Sequence, residues 1–72
     1  MKILEITRVN IRGNKSWSMT IEKDRNQRVL IPIMEETFIQ LNIEFQHKVL
    51  RNENRTIEGG QLLKIHFNTF EL

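Results

Sequence analysis

Seventy-two residues with no cysteine and a net charge of only +2 leave room for one domain, with a core worth a few kcal/mol of net stability. The missing cysteines exclude a disulfide framework and any Cys-based zinc site, so self-association is the expected source of extra burial. Lys2 is followed only by Ile3-Leu4 before Glu5 interrupts, and no apolar run approaches the roughly 20 residues that span a bilayer. The chain therefore reads as soluble and cytoplasmic, of bacterial or phage origin, with no membrane partner.

The first elements form a hairpin. Val9 and Ile11 alternate with Arg8, Asn10 and Arg12, then Trp17, Met19 and Ile21 alternate with Ser16, Ser18, Thr20 and Glu22. Period two places each apolar set on one face of a strand. Gly13-Asn14-Lys15 lies between, where Gly and Asn accept the positive φ of a tight turn. Ile3, Leu4 and Ile6 do not together keep the phase of Val9 and Ile11, which predicts a bulge near Thr7 to Arg8. A second turn is expected at Asp24-Arg25-Asn26-Gln27. Val29, Ile31 and Ile33 follow in alternation, and Pro32, lacking an N–H, points to an edge strand.

Residues 37 to 49 admit two readings. A helix from Met34 would put Met34, Phe38, Leu41 and Phe45 on one stripe. The strand template matches more positions: Thr37, Ile39, Leu41, Ile43, Phe45, His47 and Val49 alternate with Gln40, Asn42, Glu44, Gln46 and Lys48. The expectation is a strand over Ile39 to Leu50, with at most one helical turn near 34–37; a ten-residue helix over Met34 to Ile43 would overturn it. Phe38, out of phase with that strand, is expected at an interface. Arg51-Asn52-Glu53-Asn54 reads as a polar turn, Arg55 to Glu58 as a short strand, and Gly59-Gly60 as a sharp reversal. The last strand, Leu62 to Phe67, sets Leu63, Ile65 and Phe67 on one face.

Five to six short antiparallel strands predict an all-β domain, a small sandwich or barrel. The tail Phe70 to Leu72 adds apolar side chains that a monomer this small would struggle to cover. Burying them would contribute about 3 to 5 kcal/mol, comparable to the net stability of such a domain, so a homo-oligomer is expected.

The segment Arg55-Thr56-Ile57-Glu58-Gly59-Gly60-Gln61-Leu62-Leu63-Lys64-Ile65-His66-Phe67 resembles the C-terminal strand pair of the trp RNA-binding attenuation protein family. Over about 50 residues, Leu41, Ile43 and Phe45 fall on that family's long central strand, and Val29 and Ile21 on other apolar strand positions. The resemblance implies an all-β subunit assembled edge to edge into a ring. The family's Lys-x-Arg RNA grip falls here on Thr56 and Glu58, its other basic contact falls near Met34, and its Thr-rich tryptophan-binding turns have no counterpart in residues 22–27 or 51–55. Neither the grip nor the ligand site is carried over. A second likeness, in Arg28-Val29-Leu30-Ile31-Pro32 with Leu41-Asn42-Ile43, is similar to the strand-Pro-helix of swapped-hairpin transition-state regulators and antitoxins, and it requires a helix at Met34 to Ile43.

Charge supplies the functional signal. Residues 1–30 hold Lys2, Arg8, Arg12, Lys15, Lys23, Arg25 and Arg28 against three acids, a balance of +4, while residues 31–72 hold four cations against six acids, a balance of −2. Arg8 and Arg12 are expected on the solvent face of the first hairpin, with Lys15, Lys23, Arg25 and Arg28 at its two ends. These six side chains are the candidate contacts to RNA or DNA phosphates in a regulatory protein. The competing reading is a solvated face in a structural or protein-interaction module, docking through exposed strand edges or the tail, since edge strands carry Lys and Arg simply to block aggregation. Trp17, in phase with Met19 and Ile21, is expected in the core and not as a base-stacking platform.

Catalysis finds no constellation here. Asp24 is the only aspartate, no Ser has a His at a meaningful spacing, and Glu35-Glu36 would diverge on a strand. His47 is expected in the core and His66 on the opposite phase beside Lys64. Gly59-Gly60 lacks the Lys-Ser/Thr of a phosphate loop. The expectation is a non-enzymatic protein with no cofactor and no metal.

Overall fold

A computed structural model describes residues 1–71, with side chains through Asn68. Five antiparallel strands make one sheet: β1 (Lys2–Ile11), β2 (Asn14–Glu22), β3 (Arg28–Ile33), β4 (Val49–Ile57) and β5 (Gly60–Glu71), in the order β3-β2-β1-β5-β4. Between β3 and β4 come a helix, α1 (Glu35–Glu44), and a 3-10 turn over Gln46–Lys48. The protein is thus mostly β, and its single sheet is roofed on one side by α1 in place of a second sheet. Among the described residues no helix is long and apolar enough to cross a membrane.

Two tight turns follow from backbone chemistry. Arg12 and Gly13 have φ of 52° and 84°, and Arg25 and Asn26 have 50° and 67°, so both turns carry positive φ at both central residues, as the right-handed twist of a hairpin favours. The second is the one expected at Asp24–Gln27, closed by Gln27 N–H donating to the Asp24 carbonyl at 3.1 Å. The first sits one residue earlier than expected, because Asn14 already belongs to β2. In the third hairpin the reversal falls at Glu58-Gly59. Gly60 lies so close to β1 that a Cβ there would collide with the carbonyl of Asn10.

Register fixes the faces. Ile6 stands opposite Met19 and Ile65, and Arg8 opposite Trp17 and Leu63. The slip in β1 lies between Ile3 and Glu5, not near Thr7 to Arg8. A bulge there keeps both Ile3 and Ile6 pointing inward, and it reverses the expected phase downstream: Thr7, Val9 and Ile11 turn to the open face, and Arg8 and Asn10 to the helix side. Val29, Ile31 and Ile33 of β3 pair with Ile21, Met19 and Trp17 on the helix side, and Pro32 sits on an edge strand as expected.

The segment after Pro32 corrects the strand reading of Ile39 to Leu50. Residues 35–44 are helical, the 3-10 turn follows, and the fourth strand begins only at Val49, running through the Arg51 to Asn54 stretch read as a turn. Phe38 is buried at 4% exposure, in the core and not at an interface, with Leu41 and Phe45 packed beside it. Ile39 and Ile43 are 49% and 65% exposed on the opposite side of the helix. The apparent alternation 39, 41, 43, 45 therefore interleaves two outward and two inward residues of a helix that is apolar on both faces. His47, expected in the core, is exposed in the 3-10 turn, its ring 6.5 Å from that of Phe45.

The core lies between α1 and the sheet: Ile3, Ile6, Ile21, Phe38, Ile65 and Phe67 are buried, and Ile3, Ile6 and Ile21 are almost entirely removed from water. Leu63, Ile65 and Phe67 share this face, as the alternation in the last strand predicts. The side chains of the tail, Phe70 to Leu72, lie outside the described residues.

Candidate nucleic-acid interface

A ten-residue helix is about 15 Å long, whereas a nine-residue strand runs for about 30 Å, so α1 cannot roof the whole face. The strands change composition where the roof ends. Going along β1 on the helix side, Ile3 and Ile6 give way to Arg8 and Asn10; along β2, Ile21, Met19 and Trp17 give way to Lys15. On β5, Ile65 and Leu63 give way to Gln61, and β4 contributes Asn54 and Thr56 opposite Leu63 and Gln61. Arg8, Lys15, Asn54, Thr56 and Gln61 are exposed, and Trp17, partly buried against the core, marks the border.

This bare end holds cations and neutral hydrogen-bonding groups, with no carboxylate in its strand rows. Arg8 lies directly across from Trp17, and Asn10 lies between Lys15 and Gln61. Asn10 Oδ1 is shielded from solvent and meets no donor. Arg12 caps the same end. Its N–H donates to the Gly59 carbonyl at 2.8 Å, tying two hairpin tips together, and its side chain lies along Gly59. Arg12 holds a positive φ that costs a residue with a Cβ about 1–2 kcal/mol, where Asn or Gly would sit more easily.

The six candidate cations do not form one patch. Arg8, Arg12 and Lys15 gather at the bare end. Lys23, Arg25 and Arg28 lie at the far end of β2, about 27 Å away at the usual rise per residue. There Arg28 faces Glu22 in register and Asp24 adjoins Arg25. The expectation that Arg8 and Arg12 share a strand face gives way to Arg8 on the helix side and Arg12 in the turn. The amides Asn10, Asn54 and Gln61 carried no signal in sequence; only the pairing register across the Gly-containing turns brings them together.

The open face of the sheet is different in kind. His66 Nε2–H donates to Glu53 Oε1 at 3.0 Å, and Arg55 and Arg51 approach the same carboxylate at 3.0 and 3.7 Å. The bond from His66 holds the Glu53 carboxyl below its ordinary range, the charges of Arg55, His66 and Lys64 add to it, and partial desolvation opposes it. Lys64 Nζ lies 3.2 Å from Glu5 Oε2, a solvent-shielded oxygen that takes no well-aligned hydrogen bond, so that contact is coulombic. Beside this mixed-charge half, Thr7, Ser16, Ser18 and Thr20 line a shallow depression with Val9, Leu30, Pro32 and Leu62. Among the described residues no three His, Cys, Asp or Glu side chains gather as metal ligands would.

The chain matches no protein-family model, no curated protein and no solved structure.

Proposed function

We propose that this is a non-enzymatic regulatory protein that binds single-stranded nucleic acid on the bare end of the helix-side sheet face. The observation that carries the reading is the composition of that end: Arg8, Lys15 and Arg12 beside Asn10, Asn54, Gln61 and Trp17, with no carboxylate in its strand rows and Glu58 alone in the adjoining turn. Arg and Lys neutralise phosphates, amides address base edges, and the exposed part of Trp17 offers a surface for a base. A single strand fits better than a duplex. Reading a duplex groove calls for a protruding helix or ribbon, and the one described α-helix carries Glu35, Glu36 and Glu44 with no Lys or Arg, which phosphates would repel.

The test is fluorescence anisotropy of a labelled 12-nucleotide oligo(dT) or oligo(rU) across a salt series, with Trp17 emission followed in parallel. Three phosphate contacts on a single strand predict a slope of log affinity against log salt of about −2. Arg8→Ser with Lys15→Ser should flatten that slope and abolish quenching of Trp17, while Lys23→Ser, Arg25→Ser and Arg28→Ser together should leave both intact. Binding that is absent at about 50 mM salt, insensitive to salt, or lost equally in the two variants would sink the proposal.

A further inference from the structure

The outer face of α1 is an apolar feature that neither the core nor the bare end uses. Ile39 and Ile43, one turn apart, stand 49% and 65% exposed, and with Glu36, Gln40 and Glu44 they line an apolar depression. Residues at i, i+3, i+4, i+7 and i+8 share one side of a helix, so Glu36, Ile39, Gln40, Ile43 and Glu44 form one continuous stripe. Three glutamates and no cation occupy the helix.

Two observations select the occupant. A second copy laid antiparallel on this stripe would set Glu36 of each chain against Glu44 of the other, like charge on like, which disfavours a homodimer here. Glu44 also stands in the last turn, at the negative end of the helix dipole, where an acid destabilises the helix and a cation is wanted. An approaching Lys or Arg would relieve both problems, whereas a phosphate or an anionic lipid surface would worsen them.

We infer that the outer face of α1 docks a cationic amphipathic helix of a partner protein, with Ile39 and Ile43 packing on its apolar side chains and Glu36 and Glu44 pairing with its flanking Lys or Arg. This surface lies apart from the bare sheet end and stands whether or not nucleic acid binds there.

The probe is a synthetic 14-residue helical peptide with Leu at i, i+3, i+4 and i+7 positions and Lys elsewhere, alongside the same peptide with Glu for Lys. Both are titrated into the 72-residue chain with amide shifts recorded by NMR. The Lys peptide should bind at least tenfold more tightly and perturb residues 36–44. Ile39→Ser with Ile43→Ser should weaken it tenfold or more without loss of helical circular dichroism, since neither side chain is in the core. The double reversal Glu36→Lys with Glu44→Lys should transfer the preference to the Glu peptide. Binding of neither peptide, equal binding of both, shifts centred away from α1, or a dimer of the full chain in light scattering that Ile43→Ser dissolves would each overturn the inference.

Discussion

The two ends of one sheet face are built to opposite rules on the same strands. Under α1, β1 and β2 present Ile3, Ile6, Ile21 and Met19, and Ile3, Ile6 and Ile21 are the most deeply buried of the described side chains. Two to four residues further along these strands, the same face presents Arg8 and Lys15, open to solvent, and Asn10, half-buried with its amide oxygen shielded. The pleat is unchanged across the border; only the cover differs. Stability therefore comes from the roofed end, while the bare end is held in shape by backbone pairing and is free to carry side chains chosen for a ligand.

The sharpest break of this contrast is Phe38→Ala. It removes the one fully buried side chain that α1 contributes, and should cost about 3–5 kcal/mol, read as a fall in the urea midpoint. Arg8→Ser, on the same face but beyond the roof, should stay within about 0.5 kcal/mol of the parent. If Arg8→Ser destabilised as much as Phe38→Ala, the division of labour between the two ends would be wrong.

Backbone pairing at the bare end is tested by Gly60→Ala. The added methyl meets the Asn10 carbonyl, so β5 must withdraw from β1 or one of the two must bend. A cost of about 1–3 kcal/mol is expected, measured by urea denaturation, with amide shifts concentrated in residues 8–12 and 58–62. A neutral outcome would mean that these strands are loosely joined where the proposed interface needs them rigid.

Arg12→Asn should have the opposite sign. Asn tolerates positive φ, and Asn-Gly is the favoured pair for this turn, so thermal unfolding should reveal a gain of about 0.5–1 kcal/mol. Affinity for oligo(dT) should fall at the same time. A gain in stability with no loss of affinity would remove Arg12 from the interface while leaving the turn chemistry intact.

What was legible in the residues depended on whether local signals agreed with each other. At Asp24–Gln27, polar turn residues sit between two alternating runs, and Pro32 marks an edge; both were readable because nothing else competed. The fifth strand was readable for the same reason, through Leu63, Ile65 and Phe67. In β1 the apolar residues belong to two phases, which shows that a bulge is needed, but the expected place near Thr7 to Arg8 was wrong; the register slips between Ile3 and Glu5, which inverts the facing of Arg8. In α1, Ile39 and Ile43 face water, which no periodicity argument anticipates, and their interleaving with Leu41 and Phe45 imitates a strand. An apolar outer face is the price of whatever that surface does, and it is what disguised the helix. Of the candidate interface, the cations were readable one by one. Their separation followed from the nine-residue length of β2, and the amides between them required the register.

The smallest effect expected lies on the open face, which has neither roof nor bare cationic end but a neutralising charge network. Glu53 has its carboxyl held below the ordinary range by the hydrogen bond from His66, with Arg55 and Lys64 nearby and Arg51 at 3.7 Å. A carboxylate whose folded pKa is depressed contributes stability that is fully present above its unfolded value and is lost as pH falls through the folded value. The side chain is partly in water, so screening keeps the contribution small. Urea midpoints of the parent and of Glu53→Gln, followed from pH 7 down to pH 3, isolate this one group from the other carboxylates. The parent should be the more stable at pH 7, and the gap between the two curves should close on the acid side. A gap that stayed constant with pH would show that Glu53 supports the sheet by hydrogen-bond geometry alone, which Gln could not reproduce, and that its charge contributes nothing.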